Sequence, residues 1–192
     1  MKIFKRRKIE FFRLFCYNIV VRKELMIFMF TKKHYNKWLK DKSNKRLNKK
    51  MIEYFPFLLP RNRWTGLVSN SYDYSYNEMR AMPDGWAIAF GYEMLCELRE
   101  ALVNDSYLYD YTIMDIKEKY GTLHWYDAGS TAEVRYVIRK YCSVSAEVCQ
   151  ICGEPASHMT QEWIGYFCKE CGRELGAEPI PEDWWEDEKD ES

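Results

Sequence analysis

Apolar residues recur at helical spacing from Trp86 onward, where Trp86, Phe90, Met94, Leu95, Leu98 and Leu102 share one face. Asp84 stands ahead of them as a cap, so the pattern predicts a helix from Asp84 to about Val103. Beyond it the period shortens to two. Residues 111–117 and 123–127 alternate apolar with polar, and residues 118–121 supply a turn, which predicts a β-hairpin. Ser130 and Glu133 have capping-box spacing ahead of the apolar face Val134, Val137, Ile138 and Tyr141, predicting a second helix that ends near Glu147. Residues 54–60 are apolar but contain Pro56 and Pro60, so they predict an extended segment packed on the core, not a central strand. Residues 70–78 are polar and aromatic without helical period and predict an ordered loop held by its tyrosines. The fold class is α+β: a small helix and β-hairpin domain.

Charge divides the chain further. Residues 1–50 carry 17 Lys and Arg against 3 acids, residues 51–148 carry 9 against 14, and residues 149–192 carry 3 against 12. The formal net charge of zero therefore conceals a dipole along the sequence. Residues 1–50 read as a basic N-terminal arm, helical or partly disordered. Within it residues 32–50 offer only His34, Tyr35, Trp38 and Leu39 as apolar or aromatic contacts and read as a solvated helix or linker. The core is expected from Met51 to residue 148, and residues 175–192 read as a flexible acidic tail in which Trp184 and Trp185 are able to dock. A basic arm fits nucleic acid, an anionic membrane surface, or the chain's own tail. Apolar residues between Ile3 and Val21 are interleaved with Lys and Arg, and no uncharged run approaches the ~20 residues a spanning helix needs. The arm fits peripheral membrane contact and no transmembrane segment. Arg13, Arg22 and Lys23 interrupt any secretory leader, while Met26 and Met29 offer later starts. A cytoplasmic protein, of a bacterium or an infected bacterial host, is the expectation.

The strongest chemical signal is a pair of cysteine doublets, Cys149-Gln-Ile-Cys152 and Cys168-Lys-Glu-Cys171, separated by fifteen residues. Two residues between thiols let both sulfurs of a doublet sit about 2.3 Å from one tetrahedral ion, and the intervening loop folds the second doublet onto it. Residues 149–174 are thus expected to form a zinc ribbon with Cys149, Cys152, Cys168 and Cys171 as ligands. Four thiolates close the coordination shell, so the zinc is structural. Gly153 and Gly172 follow the second thiol of each doublet, where the knuckle turn calls for positive φ. Two disulfides or free buried thiols are the competing readings, and His158 is an alternative fourth ligand. Cys16, Cys96 and Cys142 read as small apolar side chains.

Other candidates are weaker. Lys117, Glu118, Lys119 and His124 cluster around the expected turn beside Tyr120, Trp125 and Tyr126, and read as a solvated turn, a binding edge or a Glu/His catalytic pair. Arg61 and Arg63, with Trp64 adjacent, fit a phosphate clamp with a stacking platform. The competing reading pairs the arginines with Asp73, Glu78 or Asp84 and places Trp64 in the core. No Gly-rich phosphate loop or Ser/His/Asp set is present.

Three segments, residues 55–66 (FPFLLPRNRWTG), residues 116–126 (IKEKYGTLHWY) and the 149–171 ribbon, together resemble a family of small bacterial and phage or prophage proteins. His124 stands where that family usually has Arg, and Glu162-Trp163 replaces its usual Gly-Trp before the second doublet. The resemblance implies an architecture and a phage-associated context, without an activity. The combined expectation is a non-enzymatic zinc-ribbon protein acting through a protein or nucleoprotein partner. Nucleic-acid binding by the arm and ribbon, and an enzyme with its site at the Lys117–His124 hairpin, are the alternatives.

Overall fold

A computed structural model describes residues 30–182 and Trp184. The chain enters through two short helices, α1 (Lys32–Lys40) and α2 (Lys45–Tyr54), and a 3-10 turn at Pro56–Leu58. A long loop and a second 3-10 turn (Glu78–Ala81) lead into one continuous helical rod. It consists of α3 (Asp84–Trp86), a π-helical turn (Ala87–Gly91) and α4 (Tyr92–Asn104). The hairpin strands β1 (Thr112–Lys119) and β2 (Thr122–Ala128) pair antiparallel, and α5 (Ala132–Ser145) packs against both β2 and α4. The remaining elements are β3 (His158–Met159), β4 (Tyr166–Phe167), α6 (Lys169–Arg173) and β5 (Glu178–Pro179), with sheet order β4-β3-β5. This is an α+β architecture. Among the described residues, no helix is long and apolar enough to cross a membrane.

The core does not begin at Met51. Phe30, Tyr35 and Trp38 are fully buried in the same cluster as Met51, Phe55, Trp86, Met94 and Leu98. The solvated-linker reading of residues 32–50 is corrected for a physical reason: their lysines occupy one side of two amphipathic helices whose other side is core. Asn48, completely buried on α2, ties the segment in. Its Oδ1 accepts from Trp38 Nε1 (2.9 Å) and Asn77 Nδ2 (2.8 Å), and its Nδ2 donates to Lys42 O (3.1 Å). Tyr35 reaches the rod, donating its hydroxyl to Ala87 O (2.9 Å). A Cβ at Gly91 would stand 2.2 Å from that hydroxyl, which accounts for a glycine where the π turn widens the helix around the inserted ring.

Several boundaries shift. The rod starts one residue after Pro83, with Asp84 in its first turn instead of capping it. Thr131, not Ser130, caps α5, its side chain accepting from Val134 N (3.2 Å), and Ser130 instead donates to Asp127. The hairpin turn is tighter than four residues. Tyr120 (φ 52°) and Gly121 (φ 80°) form a two-residue turn with both centres left-handed, the geometry whose twist matches the flanking strands. Glu118 Oε1 accepts from Gly121 N (2.7 Å) and locks it. The loop of residues 70–78 is held as expected, by Tyr72 ring contacts with Tyr74 and Tyr76.

The C-terminal boundary moves as well. Residues 178–179 are a strand, Ile180 and Trp184 pack on a second small core with Met159 and Tyr166, and Trp184 Nε1 donates to Tyr166 OH (2.9 Å). The flexible-tail reading therefore does not hold for residues 178–182 and Trp184. Residues 1–29 of the arm, including Cys16, and residues 183 and 185–192 of the tail, including Trp185, lie outside the described residues.

Candidate metal centre and the hairpin face

The first knuckle grows directly out of α5. Cys149 N donates to Glu154 O (2.8 Å) and Gly153 N to Cys149 O (3.0 Å), and Gly153 takes the positive φ (85°) that the turn requires. The second knuckle is built differently. Cys168 caps α6, its sulfur accepting from Cys171 N (3.4 Å), and Gly172 lies within that helix without a positive φ. Space around it is tight: a Cβ would come within 3.1 Å of Ala177 Cβ and 3.2 Å of His158 Cβ. The β3–β4 pairing brings the two knuckles together.

All four sulfurs, of Cys149, Cys152, Cys168 and Cys171, lie within 4.8 Å of one another, and those of Cys152 and Cys168 are 3.6 Å apart. Four sulfurs about 2.3 Å from a central ion would be separated by about 3.8 Å, so the cage has the size of a tetrahedral thiolate site. None of the four is in a disulfide. Their protonation behaviour fits the same reading. Burial opposes ionisation of Cys149, but backbone hydrogen bonds from Cys152, Cys168 and Ile151 outweigh it and bring this thiol down to about 7. Burial and the neighbouring sulfurs of Cys168, Cys152 and Cys149 push Cys171 strongly upward, because thiols crowded together resist ionising. His158 is not part of the cage; it lies in β3 with its Nδ1 2.9 Å from Ser157 Oγ. Cys96 and Cys142 are partly buried, packed against the main core.

The cage is fastened to the main core at two points. Gly85 N donates to Gln150 O (2.8 Å), and a Cβ at Gly85 would collide with Cys149 O at 2.0 Å. Trp86 Nε1 donates to Val148 O (3.2 Å). At the other end the Tyr166 ring presses on the hairpin tip, 2.6 Å from where a Cβ of Gly121 would be. No protein-family model, curated protein or solved structure matches the chain.

The hairpin separates the remaining candidates by face. Cα partners across the strands share a face, so Asp115, Lys117, His124 and Tyr126 stand together, while Ile116, Glu118, Leu123 and Trp125 share the opposite, core-directed side. Glu118 and His124 are thus on opposite faces, and Glu118 is engaged with the turn amide. The Glu/His catalytic pair is not assembled. On the outer face Asp115 holds both Lys117 (2.9 Å) and Arg63 (3.0 Å). The Lys117 hydrogen bond and the nearby Arg63 guanidinium keep the Asp115 carboxyl below its ordinary range. Lys117 sits 4.8 Å over the Tyr126 ring, and His124 stacks on the same ring. Lys119 lies over Tyr120 at the turn.

Trp64 is 94% exposed, so the reading that placed it in the core is corrected. Its loop is nonetheless held by local hydrogen bonds. Asn62 Oδ1 accepts from both Trp64 N and Thr65 N (2.9 Å each), and Arg61 donates to Gly66 O (3.1 Å). Arg63 pairs with Asp115 and not with Asp73 or Asp84; it approaches Glu78 closely enough to oppose the upward push that burial gives that carboxyl. Arg63, Trp64, Met114, Asp115, Lys117 and Tyr126 line a shallow groove of about 310 Å³. Asp115 and Met114 were not singled out from sequence; for Asp115 the signal available was the strand alternation that puts it in one row with Lys117.

Proposed function

We propose that the chain is a non-enzymatic binding module whose fold is closed by a structural zinc ion, and that it engages a protein or nucleoprotein partner through the Trp64 groove. Zinc is the ion because an all-thiolate tetrahedral cage suits a soft, redox-inert dication. It supplies charge neutralisation for the four thiolates and a covalent tie between the knuckles. The observation that carries the binding reading is Trp64 itself. The indole is nearly fully exposed on a loop whose backbone is braced by Asn62 and Arg61, and exposed aromatic anchors of this kind dominate protein interfaces. Tyr126 and Met114 supply the apolar floor and the Arg63–Asp115–Lys117 set a polar rim. The sequence resemblance supports a phage- or mobile-element-associated, cytoplasmic setting.

Metal analysis of the purified chain tests the first part: about one zinc per chain is expected, and far less than one refutes it. A photo-crosslinking residue beside Trp64, used in producing cells, tests the second. One defined protein species should be captured, and Trp64→Ala should weaken its binding to the isolated partner about thirtyfold, the scale of a hot-spot residue. Unchanged affinity would reject the groove. The second reading, nucleic-acid binding, is favoured by the charge of residues 30–50. The enzyme reading is weakened by the opposed faces of Glu118 and His124.

A further inference from the structure

The helical hairpin α1–α2 carries nine Lys and Arg residues, at positions 32, 33, 37, 40, 42, 45, 46, 49 and 50, against two acids, Asp41 between the helices and Glu53 near the end of α2. Three of the nine are paired with core carboxylates: Lys32 with Glu93, Lys42 with Asp84 and Lys45 with Asp73. Lys33, Lys37, Lys40, Arg46, Lys49 and Lys50 have no carboxylate partner among the described residues. Part of this set is gathered at one place. Lys50 Nζ of α2 lies 2.9 Å from His34 Nε2 of α1. After partial burial, the charges of Lys50, Lys37 and Lys33 are what hold the His34 imidazole below its ordinary pKa, so cations from both helices converge there.

A folded protein does not assemble like charges without a penalty, and this set sits on helices anchored by Tyr35, Trp38, Asn48 and Met51, not on a floppy arm. The composition of the surface identifies the ligand. Its cations are mostly lysines, point charges suited to phosphate and not to the planar edges of bases. None of the chain's exposed large apolar side chains lies on α1 or α2, and their aromatics Tyr35 and Trp38 are buried. The surface therefore has no platform on which to stack an unpaired base and no apolar face to insert into a bilayer.

We infer that the α1–α2 hairpin is a docking surface for the phosphate backbone of duplex nucleic acid, recognised by charge without sequence preference. It rests on the second reading above, gives that reading a location, and uses none of the residues of the Trp64 groove.

The test is binding of the full, metal-loaded chain to random-sequence duplex DNA across a salt series, with single-stranded DNA and phosphatidylserine vesicles as parallel probes. The triple variant Lys33→Gln/Lys37→Gln/Lys50→Gln is compared with Arg135→Gln/Arg139→Gln/Lys140→Gln on α5, which has the same net charge. Duplex binding should be tighter than single-strand binding. The first variant should bind at least about tenfold more weakly near 100 mM salt, with the log–log salt slope shallower by about 2.7, the value for three phosphate contacts. The second variant should keep the wild-type slope. Absence of any nucleic-acid binding overturns the reading itself, whereas binding with an unchanged slope in the first variant, or an equal loss in the second, overturns the location. Vesicle binding stronger than duplex binding and lost in the first variant would assign the surface to lipid headgroups. Circular dichroism and thermal unfolding of both variants separate loss of binding from loss of fold.

Discussion

Replacing Asn48 by Ala tests whether the lysine-rich entry segment is part of the core. Asn48 is completely buried and serves two buried donors at once, Trp38 Nε1 at 2.9 Å and Asn77 Nδ2 at 2.8 Å. Alanine would strand both, at about 1–3 kcal/mol each. It would also release the Lys42 carbonyl, and against this stands a gain of about 0.5 kcal/mol from the better helix former. The expected net loss is about 2–5 kcal/mol, read as a lower urea midpoint with an unchanged slope. A double-mutant cycle sharpens it. Trp38→Phe removes one of the two donors beforehand, so Asn48→Ala in that background should cost about 1–3 kcal/mol less than in the wild type. A loss below about 0.5 kcal/mol for Asn48→Ala, the range of ordinary surface substitutions, would return residues 32–50 to the status of a solvated appendage. Additivity of the two changes would show that the amide and the indole do not share a bond.

Gly85→Ala places a Cβ against the backbone of the first knuckle, 2.0 Å from Cys149 O, and should cost several kcal/mol, about 3 or more, while also weakening zinc retention against a competing chelator. A normal melting temperature in that variant would mean the knuckle is free of the helix. Burial first, and then the Asp115 charge, raise the Glu78 carboxyl, with Arg63 opposing. A raised folded-state pKa stabilises the fold at low pH and loses that contribution as pH rises through it, so the Glu78 contribution should grow as pH falls from neutral toward 4.5, against the loss from His34, whose imidazole is held below its ordinary range. Glu78→Gln should abolish that portion of the pH profile, and an identical profile would contradict the assignment. Ending the chain after Trp184 should leave thermal unfolding unchanged, whereas ending it after Ala177 removes β5, Ile180 and the Trp184–Tyr166 bond and should cost about 1–3 kcal/mol. If the acidic residues beyond 184 shield the basic surface, the first truncation also tightens DNA binding; unchanged affinity rejects the shielding.

The features legible from sequence were those with a short-range physical signature. Cysteine spacing located the cage, the 3.6-residue period located the rod, and alternation located the hairpin, because each is fixed by local geometry. The misread segments are those where a tertiary partner decides. Tyr35 and Trp38 on α1, and Leu47, Met51 and Ile52 on α2, do repeat at helical spacing, but the surrounding lysines masked a period that matters only once Asn77 and Ala87 are in place to receive the inward groups. Trp64 was the reverse case: an aromatic beside two arginines has no local mark of exposure, and only the Asn62 turn aims it outward. The choice between Ser130 and Thr131 as cap was decided by Asp127, which engages the Ser130 hydroxyl. Gly172 looked like a left-handed turn residue and proved to be a matter of room beside Ala177 and His158.

The two fastenings of the cage also order events in time. The amide of Gly85 and the turn at Gly121 receive their final contacts from Gln150 and Tyr166, and the cage itself is complete only once Cys171 has been made. During synthesis the residues ahead of Cys149 therefore wait with an unfinished helix start and an unsupported hairpin tip until residues 149–171 emerge. If the cage holds the proposed ion, its capture follows the main core in order of synthesis, and scarcity of the ion would register at the Gly85 helix start and the Gly121 hairpin tip as well as in the knuckles themselves.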